Sequence, residues 1–184
     1  VFKNLFSLFF LIFSFLISDS KANPKFESWL TALKEEALSR GIEPEIIAQA
    51  FEGLKVPQEK VITLDQNQPE FKSTLDLYIT KRVLPNILKG KKKFKDVKEI
   101  LLPIAKKYGV QPQYILALWG IETNYGAVTG NFPVIHALAT LAFDGRRSDF
   151  FRQELFHALR ILNEGHIHPH KMKGSWAGAM GHPQ

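Results

Sequence analysis

From residue 26 to residue 165 the apolar side chains recur every three or four positions, and no long stretch alternates in steps of two. Spacing by three and four builds one apolar face of a helix, whereas a half-buried strand needs alternation. The chain is therefore expected to be mainly α-helical, without a large sheet. In "FESWLTALKEEALSRG" (residues 26–41), Phe26, Trp29, Leu30, Leu33, Ala37 and Leu38 share a face, and Gly41 suits a helix end. "EPEIIAQAFEGL" (43–54) reads as a second helix with Pro44 in its first turn. The proline-bounded segment 55–70 reads as a polar connection in which "VITL" can be extended. A helix is predicted over 70–88, ended or kinked by Pro85, and two more meet at the joint from Gly109 to Pro112. Another follows Pro133. A strong one spans 148–165, capped by Ser148, with Phe151, Leu155, Leu159 and Leu162 at helical spacing.

The length of 184 residues and the 45% hydrophobic content suit one globular domain. The chain has no cysteine, which excludes disulfides, thiolate zinc sites, iron–sulfur clusters, a cysteine nucleophile and a lipoprotein-type anchor. A net charge of +6 favours acidic partners without choosing among nucleic acid, anionic lipid and anionic polysaccharide.

The first residues, "VFKNLFSLFFLIFSFLISDSKA", place one lysine before an apolar run over 5–17 that only Ser7 and Ser14 interrupt. Such a run is short for a membrane span of about 20 residues. Ser20 and Ala22 are small residues suited to cleavage after Ala22. Residues 1–22 thus read as a secretory signal peptide, and 23–184 as the exported, periplasmic part, with no stable membrane anchor after cleavage. The glycine-rich end "GSWAGAMGHPQ" is unlike the close of a complete domain, so a chain incomplete at its C-terminus is expected.

Glu122 lies in "LALWGIETNYGAVTG" (116–130). On a helix from Pro112 it shares a face with Ile115, Leu118 and Trp119. An apolar face predicts partial drying, which would raise the carboxyl pKa as a general acid requires. A helix-end glutamate leaning into water is the alternative. Glycoside hydrolysis ordinarily uses two carboxylates. Asp144, Asp149, Glu154 and Glu164 are candidates, but no spacing singles one out. Arg146 and Arg147, in "FDGRRSDFF", suit anionic or amide-bearing groups. Tyr125 and Trp176 sit beside glycines, where aromatic rings can stack on sugars or simply pack. "HIHPH" (166–170) has the look of a metal tract, but Gly165 and Pro169 favour a loop, and no metal site is assigned. "KGKKKFK" has only Phe94 as an aromatic partner, so a solvated or polyanion-facing surface is expected there and nucleic acid is not.

"ALWGIETNYGAVTGNFPVIHALATLAFDGRRSDFF" and "KGSWAGAMG", with "FESWL", "LDQNQPEF" and "YGVQPQYI" upstream, resemble the lytic murein transglycosylase B family over nearly all of residues 23–184. The resemblance implies a lysozyme-like helical catalytic domain and no cofactor. It implies cleavage of the β-1,4 bond between N-acetylmuramic acid and N-acetylglucosamine in peptidoglycan glycan strands. The muramic acid C6 hydroxyl attacks in place of water, closing a 1,6-anhydro ring. One glutamate, here Glu122, serves as acid and then base. Arg146 and Arg147 match the family's substrate-contacting pair, Ser175 a serine near the acid, and Gln184 a glutamine of the cleft wall. The sequence departs from the pattern at His182 and Pro183, and the family ordinarily continues well past this glutamine. A water-using lysozyme and a non-catalytic wall-binding module remain the alternatives.

Overall fold

The computed structural model describes residues 23–67 and 74–182. The expected signal peptide over 1–22 and Gln184 lie outside the described residues.

The fold is mainly helical, as the spacing predicts. Helix α1 (Pro24–Ser39) opens on Asn23, whose side-chain oxygen accepts from the Phe26 N–H at 3.1 Å. It buries Phe26, Leu30, Leu33 and Ala37, while Leu38 turns out to solvent. Helix α2 (Pro44–Ala50) follows, with proline in its first turn. Helix α7 (Val134–Asp144) is enclosed on nearly all sides, which its almost uniformly apolar sequence requires. Helix α8 (Ser148–Asn163) lays Phe151, Leu155, Ala158, Leu159 and Leu162 against it. The side chains of α1, α2, α3 (Glu59–Gln66), α7 and α8 close one core, with Phe143 edge-on to Phe26 at 5.0 Å. The only sheet among the described residues is a short antiparallel pair, β1 (Phe132–Pro133) on β2 (Lys173–Gly174).

Three local expectations are corrected. "VITL" is not extended but lies in α3. Val61 and Asp65, four apart, are both buried there, and tertiary burial overrides the strand preference of β-branched residues. Pro85 does not end the helical run. After α4 (Leu75–Tyr78), a π turn over Ile79–Val83 widens the backbone, and α5 (Leu84–Tyr108) starts with the proline in its first turn. A proline there forfeits no needed N–H donor. Finally, Ser148 is the first residue of α8 rather than its cap. The cap is Arg147, held at φ 60 without a side-chain capping bond.

Helices α5 and α6 (Pro112–Thr123) form a hairpin turned by Gly109, whose φ of 66 suits glycine. The hairpin packs on itself, and none of its side chains joins the main core. It leaves Leu88 and Ile100 largely exposed, along with several other apolar groups. Among the described residues no helix is long and apolar enough to cross a membrane.

Candidate active site

Glu122 occupies the last turn of α6. Ile115, Leu118 and Trp119 do share its face, but that face is open: Leu118 is 61% exposed, and Glu122 itself is exposed. The drying expected of Glu122 is therefore absent: Ile115 and Trp119 are partly buried beside α5 and His182, but the end of this face that carries Leu118 and Glu122 is left exposed. The Glu122 carboxylate makes no ion pair among the described residues.

What is fixed is the helix end that carries it. Thr123, one position on, is 1% exposed. Its hydroxyl lies 2.8 Å from the His182 carbonyl, to which it donates, and accepts from the Gly126 N–H at 3.0 Å. The His182 ring takes a second bond, from Trp119 Nε1 to its Nδ1, at 2.9 Å. Asn124, Tyr125 and Gly126 then follow one another at φ 49, 61 and 80. A non-glycine residue costs about 1–2 kcal/mol in this left-handed region. The Tyr125 side chain supplies the compensation. Its ring lies edge-on to Trp119 at 5.7 Å, and its hydroxyl donates to the Asn86 carbonyl of α5 at 3.0 Å. Burial pushes the phenol pKa up. The ring occupies space that only glycine leaves: a Cβ at Gly120 would stand 2.6 Å from Tyr125 Cζ.

Tyr125 is thus a wedge between α5 and α6 as well as a neighbour of Glu122. It also borders an apolar groove of about 700 Å³ between Ile87, Phe94, Leu116 and Ile121. This groove lies on the opposite side of α6 from Glu122, half a turn away at 3.6 residues per turn. Its surface is mainly apolar, with Asn86, Lys91, Lys95 and Gln113 among its lining residues. The expected lysine cluster runs along α5, and there Lys93 reaches over Trp119 at 5.4 Å while Lys89 donates to Asn124 Oδ1 at 3.3 Å. Cationic groups therefore flank the helix end bearing Glu122.

Ser175 organises the loop that returns to this helix end. Its Oγ accepts from the Ala177 and Ala179 N–H groups at 3.3 and 3.1 Å, and its own N–H donates to the Ala179 carbonyl at 2.8 Å. Trp176 is partly buried and packs against the main core.

Arg146 and Arg147 converge on a residue that the sequence reading passed over, Asp65. Arg146 Nε donates to Asp65 Oδ2 at 2.7 Å and its Nη2 to the Asp65 carbonyl at 3.0 Å. Arg147 Nη2 donates to Oδ1 at 2.7 Å. The Arg146 bond, aided by Arg147, holds the Asp65 carboxyl below its usual range, although burial works the other way. Left-handed backbone at Gly145 and Arg147 lets two successive side chains point to one carboxylate. No hydrogen bond or ion pair joins this cluster to Glu122 among the described residues.

Of the other carboxylates, Glu164 pairs with Arg160 and His166 in the "HIHPH" loop, and Asp144 and Asp149 bracket the arginine turn. His168 and His170 stack on each other at 5.2 Å. Among the described residues no three His, Asp or Glu side chains gather as a metal site. Spacing in "VITLD" carried the signal for Asp65, since Val61 and Asp65 fall on one face. Thr123 and His182 meet only through tertiary structure.

The chain matches the family described as Transglycosylase SLT domain over residues 25–184. It is 42% identical over 78 residues to membrane-bound lytic murein transglycosylase B of Escherichia coli K12, a match covering 42% of this chain and 22% of that protein. SltB3 of Pseudomonas aeruginosa, solved in complex with NAG-NAM-pentapeptide, superposes with a TM-score of 0.76 at 38% identity. The match covers 86% of this chain and 42% of SltB3. The same protein in complex with NAG-anhNAM-pentapeptide gives 0.75 at 38% identity, with the same coverage of 86% and 42%. The chain therefore spans less than half the length of these relatives.

Proposed function

The chain belongs to the transglycosylase SLT domain family, and from that premise we propose that it acts on peptidoglycan glycan strands as a lytic transglycosylase. The observation that carries the reading is Glu122, an accessible carboxylate with no ion-pair partner among the described residues, on a helix end locked by Thr123 and His182. In the proposed reaction Glu122 gives its proton to the glycosidic oxygen between N-acetylmuramic acid and N-acetylglucosamine, and the C1–oxygen bond breaks. The muramic acid C6 oxygen then bonds to C1, and its proton returns to Glu122. The product is a 1,6-anhydro sugar, and no water is consumed. The form of SltB3 bound to NAG-anhNAM-pentapeptide supports this outcome over hydrolysis. A sugar seated over Glu122 removes water from it. The bound glycan thus supplies the drying that the open face of α6 lacks.

In this reading Arg146, Arg147, Ser175 and Tyr125 contribute to the glycan site, and Gln184 would extend it. Action takes place in the periplasm after loss of residues 1–22. Glu122→Gln removes the transferable proton and is expected to abolish release of anhydromuropeptides with no change in melting temperature. Mass spectrometry of digested sacculi reads the result. Reducing muramic ends from the parent chain would point instead to a water-using lysozyme. Undiminished anhydro product from the variant would end the assignment to Glu122.

A further inference from the structure

Asp65 is 2% exposed and is the only acidic residue buried to that degree among the described residues. Enclosing a carboxylate is costly, and an apolar side chain at this position would pack on α7 as its neighbour Val61 does. Asp65 accepts from two successive arginines, Arg146 and Arg147. Arg147 accepts a left-handed backbone at φ 60 to reach it, without gaining a side-chain cap for α8. Strain kept where capping does not require it points to use. Both guanidinium groups remain about half exposed, at 49% and 47%. Arg146 binds Asp65 through Nε and Nη2 and Arg147 through Nη2, and their other N–H groups have no hydrogen-bond partner among the described residues.

We propose that Asp65 is a positioning residue for glycan binding. It fixes Arg146 and Arg147 side by side, so that their outward N–H groups form a preset row of donors for oxygen atoms of the glycan or its stem peptide. The rotamer freedom of both arginines is given up on folding, and binding need not remove it again. The proposal rests on the reading of this pair as substrate contacts.

The test uses the full chain carrying Glu122→Gln, so that ligand is not consumed, and NAG-NAM-pentapeptide as the probe in calorimetry. Asp65→Asn is expected to raise Kd about tenfold, since it removes the charge-assisted bonds that orient both forks. Replacing both arginines by alanine should raise Kd at least as much. Adding Asp65→Asn to that double variant should then change nothing further. If Asp65→Asn lowers the melting temperature but leaves Kd unchanged well below it, Asp65 is merely structural and the proposal falls. If the double arginine variant binds like its parent, the arginines are not contacts, and the reading beneath the proposal falls as well.

Should Asp65→Asn fail to fold, the guanidinium resonances of the parent chain answer the same question. Slow side-chain rotation in the free chain, with shifts on adding the probe, supports positioning. Free rotation, or no shift, overturns it.

Discussion

Glu122 and Thr123 are neighbours in sequence with opposite surroundings, one open to water and the other sealed beneath His182. The chemistry thus depends on one residue and its placement on the next. The face occupied by Glu122 follows from spacing alone, but its burial does not, because burial depends on what packs against the face. Asp65 escaped notice for a different reason: its segment reads as a connection, so the face shared with Val61 carried no weight. His136 offers a residue-scale prediction. It is half-buried on α7, and burial, opposed by bonds to the Ala50 and Glu52 carbonyls, lowers its pKa from 6.5. The unfolded chain takes up a proton near 6.5 that the folded chain refuses. Stability contributed by neutral His136 is therefore present above that value and lost as pH falls below it. The melting temperature should drop between about pH 7 and pH 5, and His136→Gln should flatten that part of the profile.

At the scale of elements, the helices with a sharp apolar face, α1 and α8, are legible from periodicity. Elements that depend on a distant partner are not. Helix α3 forms because α7 and the arginine turn receive it, and α5 runs through Pro103 as well as past Pro85. The hairpin of α5 and α6 is joined by the Tyr125 wedge, which imposes a strict demand on Gly120. Gly120→Ala places a methyl group 2.6 Å from the Tyr125 ring, so the ring or the helix must move. A loss of about 1–3 kcal/mol is expected by denaturant unfolding. Combining it with Tyr125→Ala should give less than the sum of the two losses, since the clash is then gone.

Across the whole molecule, burial is uneven. The core gathers α1, α2, α3, α7 and α8, whereas the hairpin carrying Glu122 stands outside it. Local opening follows sparse packing, so amides of α5 and α6 should exchange at lower opening free energies than those of α7 and α8. Hydrogen exchange read by mass spectrometry checks this, and equal protection throughout would contradict it. The lock on the helix end has a kinetic side too. Thr123 bonds to a residue 59 positions along the chain, and Trp119 to the same residue at a separation of 63. Contacts that close long loops form after local ones, because the loop entropy must be met first. The turns within α5 and α6 can therefore form while Glu122 still rides on an unfastened end. The histidine that secures that end lies beyond α8 in the chain, so the site is armed only once the stretch of 59 residues between Thr123 and His182 has closed.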